Sequence, residues 1–299
     1  MTTLDGQRVK RELLLRSLFP SMPAAAHLRF MELLDDLDLA IGDLAFREGD
    51  PPDHFLFLTE GRVALEAEGQ QPIEFSGFAV VGVVDAILER PRQRACRALE
   101  TSKALRIRSA DWFDMLEDNA EIARSAIKAF ASQLHQLWQQ LAPRLPRHSE
   151  PPPGIVPSTL ETYDKILALR QASFLRKAGM QAIASLAALA ETEVLEAGQS
   201  LFEVGNDGAD FFVVAAGLIE LLHGSGQHFT HDAGDVVGGP AAFCNALPSY
   251  AAVATAPSIV LRIPQQEFYD LAEEHGRLLR GTLVFLATEL EALQAASST

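Results

Sequence analysis

The chain repeats itself, and the repeat limits what it can fold into. Residues 46–63 read Phe-Arg-Glu-Gly-Asp-Pro-Pro-Asp-His-Phe-Leu-Phe-Leu-Thr-Glu-Gly-Arg-Val, and residues 202–219 read Phe-Glu-Val-Gly-Asn-Asp-Gly-Ala-Asp-Phe-Phe-Val-Val-Ala-Ala-Gly-Leu-Ile. Phe46, Gly49, Phe55 and Gly61 meet Phe202, Gly205, Phe211 and Gly217 at a constant separation of 156 residues. Asp53 meets Ala209. A fixed offset of this kind marks two copies of one structural unit.

Within each copy, Phe-x-x-Gly reads as a strand end entering a tight turn, where the glycine supplies a permissive backbone. Phe-Leu-Phe-Leu and Phe-Phe-Val-Val are short apolar strands buried on at least one face. Gly61 and Gly217 then turn the chain into the next strand. Strands joined in this way build one corner of an antiparallel β-roll. Short segments with turn residues between them fill 41–107 and, again, 196–263. Helices are expected over 4–19 and from Pro23 through Leu34, and their equivalents over 160–175 and 179–190. Short helices follow each roll at 112–117 and 268–273. A longer one comes next in each repeat, with Ile127, Phe130, Leu134, Leu137 and Leu141 in the first and Leu283, Leu286, Leu290 and Leu293 in the second. The 3-4 spacing is that of a heptad seam. It fits a helix covering its own roll, and equally a helix pairing with its counterpart.

The expected class is therefore α+β: two β-roll (jelly-roll) domains, each flanked by N- and C-terminal helices. The first spans 1–141 and the second 160–299. Between them, 142–159 carries six prolines in eighteen residues, an extended and semi-rigid linker. Ser158 with Glu161 three residues on reads as a capping box for the next helix.

Length supports two domains, since 299 residues at 48% hydrophobic content suffice for two cores. No run of eighteen apolar residues suggests a transmembrane helix, and the N-terminus lacks a signal core; a cytoplasmic protein is expected. Cys96 and Cys244 occupy non-equivalent positions and read as buried free thiols. The net charge is −15, which argues against a nucleic-acid partner, because phosphate contacts dominate that affinity. Arg90, Arg92, Arg94 and Arg97 form one small basic patch within this acidic chain.

The doubled Phe-x-x-Gly…Phe…Gly pattern resembles the cyclic nucleotide-binding domain, the family of the bacterial catabolite activators and of the regulatory subunits of protein kinase A. The resemblance implies a phosphate cassette, Gly-Glu-(Leu/Ala)-(Ala/Gly)-Leu followed by Pro-Arg-(small)-Ala. There the helix start offers backbone N–H groups to the phosphate, the Glu accepts from the ribose 2′-hydroxyl, and the Arg pairs with phosphate oxygens. In the first repeat this maps onto Gly82, Val83, Val84, Arg92 and Gln93. Arg92 keeps the anion partner, but Val83 cannot accept a hydrogen bond, and Gln93 stands where a small residue is expected. A hydrogen bond to a charged group is worth ~1.5–3 kcal/mol, so any binding of cAMP or cGMP at this site is expected to be weak. Asp85 opposes a bound anion if it points inward. Arg92 as a solvated surface arginine is the competing reading. The second cassette has Gly239 for the Glu and Pro248 for the Arg, so no cyclic nucleotide is expected there.

His223, His228 and His231 fit no common zinc spacing and are read as surface histidines. No nucleophile–base pair, phosphate loop or paired-carboxylate motif stands out, so no catalytic residue, metal or obligatory cofactor is expected. After Leu293 only six residues remain, too few for the DNA-binding helices of an activator-like regulator. The sequence thus points to a non-enzymatic regulatory or scaffold protein that acts through a protein partner. Its rivals are a cAMP/cGMP sensor using Arg92 alone, or the detached regulatory subunit of a separate enzyme. A homodimer, or an intramolecular pseudo-dimer through 127–141 and 283–293, is the expected association.

Overall fold

The structure, a computed structural model, describes residues 12, 16, 22, 24–141, 160–176, 178–206, 208–223 and 228–297. It divides into two compact units, one ending at Ala126 and the other running from Ile127 to Ser297.

In the first unit, α1 (Ala24–Glu32) precedes eight strands: β1 (Asp35–Leu39), β2 (Leu44–Phe46), β3 (His54–Glu60), β4 (Arg62–Glu66), β5 (Ile73–Ser76), β6 (Ala79–Val81), β7 (Ala95–Ala98) and β8 (Ser102–Arg108). They form two four-stranded antiparallel sheets, ordered β1-β8-β3-β6 and β2-β7-β4-β5. The short α2 (Val83–Ile87) sits between β6 and β7, and α3 (Ser109–Asp118) and the start of α4 (Ala120–Leu141, whose residues from Ile127 on belong to the second unit) follow the roll. The predicted α+β β-roll is what the chain builds.

Alternation along β3 explains the layering. Successive strand residues point to opposite faces, and β3 is buried on both. Leu56 and Leu58 join Leu39, Phe46, Val63, Val81, Cys96 and Ala98 inside the roll. Phe55 and Phe57 face the helices instead, edge-on to Trp112 of α3 at 5.3 Å and to Phe30 of α1 at 5.6 Å. Helix α1 is shorter than expected and stops at Glu32. Its Leu28 points outward.

The second unit repeats the plan. After α5 (Thr162–Gln171), a 3-10 turn (Ser173–Leu175) and α6 (Met180–Leu189) come β9 (Glu191–Leu195), β10 (Ser200–Phe202), β11 (Asp210–Ala216), β12 (Ile219–His223), β13 (His228–His231), β14 (Val236–Val237), β15 (Tyr250–Ala254) and β16 (Ser258–Pro264). The sheet orders β14-β11-β16-β9 and β10-β15-β12-β13 match those of the first unit. Helix α7 (Gly239–Cys244) corresponds to α2, α8 (Gln265–Glu274) to α3, and α9 (Gly276–Ser297) to α4. Phe211 faces Phe174 and Phe268, with ring centroids 5.9 and 5.4 Å away, as Phe55 faces Trp112.

The offset holds at the level of pairing. Phe46 lies opposite Cys96, and Phe202 opposite Ala252. Gly82 and Gly238 both precede the cassette helix at φ near +80°. Gly61 and Gly217 show why the repeat keeps a glycine there. A Cβ at either would sit 2.3 Å from the hydroxyl of Ser102 or Ser258. Each hydroxyl accepts from the backbone across the turn, from Arg62 N–H at 3.1 Å and from Leu218 N–H at 3.0 Å.

Several local expectations need correction. The capping box of α5 is formed by Glu161 and Asp164, three residues later than the Ser158 start, which lies outside the described residues together with the linker at 142–159. The helix expected over 160–175 ends at Gln171 and passes into the 3-10 turn. The seam of α4 is also displaced. Ile127 and Leu134 are buried, but Ala131, His135 and Trp138 complete the buried face, while Phe130 and Leu137 are only half-buried. In α9, Leu283, Leu286 and Leu290 are buried as the seam requires, beside Leu278, Leu279 and Phe285. The side chains of Leu141 and Leu293 lie outside the described residues.

Candidate functional site

The first cassette is built at the end of β6. Gly82 adopts φ +81°, and a Cβ there would stand 2.9 Å from both the Arg92 guanidinium and the Phe46 ring. A glycine is therefore required by contact as well as by backbone. Beyond it, Val83 turns its side chain into the core, and Val84 is half-buried with its carbonyl accepting from Leu88 N–H at 2.9 Å.

Arg92 is not a solvated arginine. It is 1% exposed, and its guanidinium lies 4.2 Å above the centroid of Phe46. Its two terminal nitrogens donate to the carbonyls of Gly82 and His54. Its Nε has no partner. Burial pulls the guanidinium pKa down, and Asp85, Asp53 and Asp50 oppose that shift. A guanidinium stacked on an aromatic face and donating to two carbonyls is held by the fold itself. Around it, Asp85 pairs with Arg90 at 2.9 Å and accepts from Gln93 N–H at 3.3 Å, so its carboxylate is partly neutralised. Gln93 is exposed, its amide donating to Pro91 O at 2.8 Å. The structure thus brings Gly82 and Arg92 together, buries Val83, and leaves Gln93 outside. Arg94 turns away to the Gln71 carbonyl at 2.8 Å, and Arg97 to Glu66 at 2.9 Å, so the four arginines do not form a joint anion site.

The second cassette keeps the backbone turn and changes the side chains. Gly238 keeps the backbone geometry, at φ +83°. The next residue, Gly239, is tightly surrounded, since a Cβ would stand 3.1 Å from Val236 and 3.6 Å from Phe243 and Phe285. Where the first repeat places a guanidinium on Phe46, the second places a phenol. Tyr250 is buried, lies 5.8 Å from Phe202, and receives a backbone hydrogen bond from Gly238. Burial pushes its hydroxyl up to about 12, so it stays neutral. Tyr250 stands at the position of Arg94, two residues beyond the lost arginine. Alternation gives it the same inward face as Ala252 and Ala254, both fully buried.

The histidine reading also needs revision. His231 pairs with Ile219 at the inner register of β13, the position Phe75 holds in the first roll. It is half-buried, its Nδ1 is enclosed without a partner, and burial lowers its pKa against the pull of Asp235 and Asp232. It is not a surface residue. Among the described residues no group of three or more His, Cys, Asp or Glu is placed to hold a metal ion. Cys96 is buried, its thiol pushed up to about 12 by burial; Cys244 is only half-buried.

The sequence reading missed Tyr250, His231 and the stacking role of Phe46. For Tyr250 the sequence offered only its match to Arg94, which says nothing of where the ring lies.

The sequence profile of the cyclic nucleotide-binding domain matches residues 37–119 and 192–275, one full roll in each unit. No curated protein matches the chain. Among solved structures, the regulatory domain of protein kinase A from Toxoplasma gondii, with cAMP, is 13% identical, covering 96% of this chain and 97% of that one with a TM-score of 0.38. The regulatory subunit of a cAMP-independent protein kinase A from Trypanosoma cruzi, bound to guanosine, is 14% identical over 93% and 88%, with a TM-score of 0.36. The N-terminal domain of a transcriptional regulator from Streptomyces coelicolor is 26% identical over 41% of this chain and 93% of that one, with a TM-score of 0.35.

Proposed function

The chain belongs to the cyclic nucleotide-binding domain family, and on that premise we propose that it is a non-enzymatic regulatory protein whose two domains act through a protein partner rather than by tight cyclic-nucleotide sensing. The observation that carries this reading is the state of the two cassettes. Val83 and Gly239 stand where the family has its ribose acceptor, Arg92 is committed to backbone carbonyls, and the second repeat has Pro248 in place of that arginine, with the buried Tyr250 beside Phe202. Each domain keeps the fold and has lost ligand contacts worth ~1.5–3 kcal/mol apiece.

A second reading has its own support. Arg92 is retained, and its buried Nε is unpartnered, so the first domain still offers a positive group to a phosphate. In that case cAMP or cGMP binds weakly, at one site per chain. A cytoplasmic location accords with either reading; no helix among the described residues is long and apolar enough to cross a membrane. We take the domains as 1–141 and 160–299, joined by 142–159. Association of the chain through 127–141 and 283–293, within one molecule or across two, belongs to the same proposal.

Calorimetric titration with cAMP, cGMP and cyclic dinucleotides tests it. At most one weak site is expected, abolished by Arg92→Lys, which keeps the charge but not the planar fork. Two equivalent tight sites would replace the partner reading with that of a sensor.

A further inference from the structure

The second half of α4 lies in the second compact unit, with the second roll, and it meets that roll at its cassette. The Ser132 hydroxyl hydrogen-bonds to the Cys244 thiol at the end of α7, and Lys128 lies near the same sulfur. Six residues further on, which is about 9 Å along a helix, Trp138 packs edge-on against Phe229 of β13 with centroids 5.0 Å apart. It also lies 6.0 Å from Tyr250 of β15. Trp138 is buried. Tyr250 in turn lies against Phe202, which stacks on Phe212 at 6.0 Å and 27°. Five aromatic side chains, Trp138, Phe229, Tyr250, Phe202 and Phe212, are thus linked in one chain of contacts beside the second cassette. In the first repeat the residues equivalent to Phe202, Phe229 and Tyr250 are Phe46, Ile73 and Arg94.

We propose that Trp138 is a tethered occupant of the second cassette: this chain's own α4 docks where a ligand would enter and makes the second domain ligand-independent. Three features support occupancy over incidental contact. The elements that α4 meets, α7, β13 and β15, are those that carry or flank the cassette. Two aromatic rings, Phe229 and Tyr250, face Trp138 and suit an indole in size and apolarity. Finally, the anion-binding side chain is absent here, at Pro248, so the site has changed chemistry from phosphate-seeking to apolar in step with its occupant. The inference goes beyond the proposed function and holds whichever partner the protein has.

The test uses the full chain. Trp112→Phe leaves Trp138 as its single tryptophan and removes an indole N–H that has no partner. Trp138 emission is expected to be blue-shifted and shielded from acrylamide, at a level independent of protein concentration. Trp138→Gly is then expected to lower the thermal midpoint, and indole to raise it again by filling the vacated space, since a ligand that binds only the folded state stabilises it. Millimolar cAMP is expected to leave Trp138 emission unchanged. Quenching typical of an exposed indole overturns the proposal, as does a Trp138→Gly chain that melts like its parent and ignores indole. Protection that appears only as concentration rises would assign the occupant to a second copy and overturn the intrachain assignment. If Trp138→Gly does not fold, the acrylamide measurement on the Trp112→Phe chain decides alone.

Discussion

Replacing Glu289 by glutamine is expected to make the protein more stable above pH 7 and to leave it unchanged near pH 4. Glu289 lies on α9, half-buried among the groups around Tyr250. Burial first, and then the nearby charge of Asp235, push its carboxyl from 4.5 up to about 7. A folded-state pKa above the unfolded value means that the folded chain holds this proton more tightly. The contribution is therefore complete below the unfolded value and is lost as pH rises through about 7. A shift from 4.5 to about 7 corresponds to roughly 3 kcal/mol at about 1.4 kcal/mol per pH unit. Partial solvent access screens some of that, leaving about 2 kcal/mol as the expected gain of Glu289→Gln at pH 8. Urea unfolding of both chains between pH 4 and 8.5, followed by circular dichroism, measures the difference directly. Taking the difference removes the parallel titration of His231, whose depressed pKa acts in the opposite sense and costs stability as pH falls. A difference that does not vary with pH would refute the reasoning, as would a glutamine variant less stable than the parent at pH 8.

Three further outcomes follow from packing. Arg92→Ala is expected to destabilise the first domain by about 2–4 kcal/mol with no ligand present, because the carbonyls of Gly82 and His54 lose their donor and a buried volume empties; Arg90→Ala, at a partly exposed ion pair, should cost under about 1 kcal/mol, and equal losses in chemical denaturation would contradict the role given to Arg92. Gly217→Ala should be far more damaging than Gly205→Ala, since a Cβ at the first collides with Ser258 and at the second meets nothing within 4 Å; comparable melting temperatures would count against this. Gly239→Glu is expected not to create a cAMP site, because Pro248 leaves no arginine there to pair with the phosphate and a Cβ at 239 already stands 3.1 Å from Val236; a calorimetric signal from that variant would show that the carboxylate alone restores binding.

The repeat at 156 residues was enough to determine two copies of one roll and the glycine turns. Those features depend on local spacing and on the alternation of strand faces, both written into consecutive residues. That Val83 and Gly239 stand where the family pattern has glutamate was equally legible, because it is a matter of residue identity at a matched position. The burial of Arg92 was not legible: a run of Arg90, Arg92, Arg94 and Arg97 looks solvated in sequence, and only the fold puts one of them over Phe46 between two carbonyls. Nor did any local pattern show that Tyr250 reaches Gly238, or that His231 takes the inward place of Phe75. The 3-4 spacing of α4 announced a buried stripe without naming the surface that buries it. Helical periodicity records only that one side of a helix avoids water. Which side chains it meets depends on contacts far apart in the chain, and those made Trp138, rather than Leu137, the residue that α4 presents to Phe229 and Tyr250.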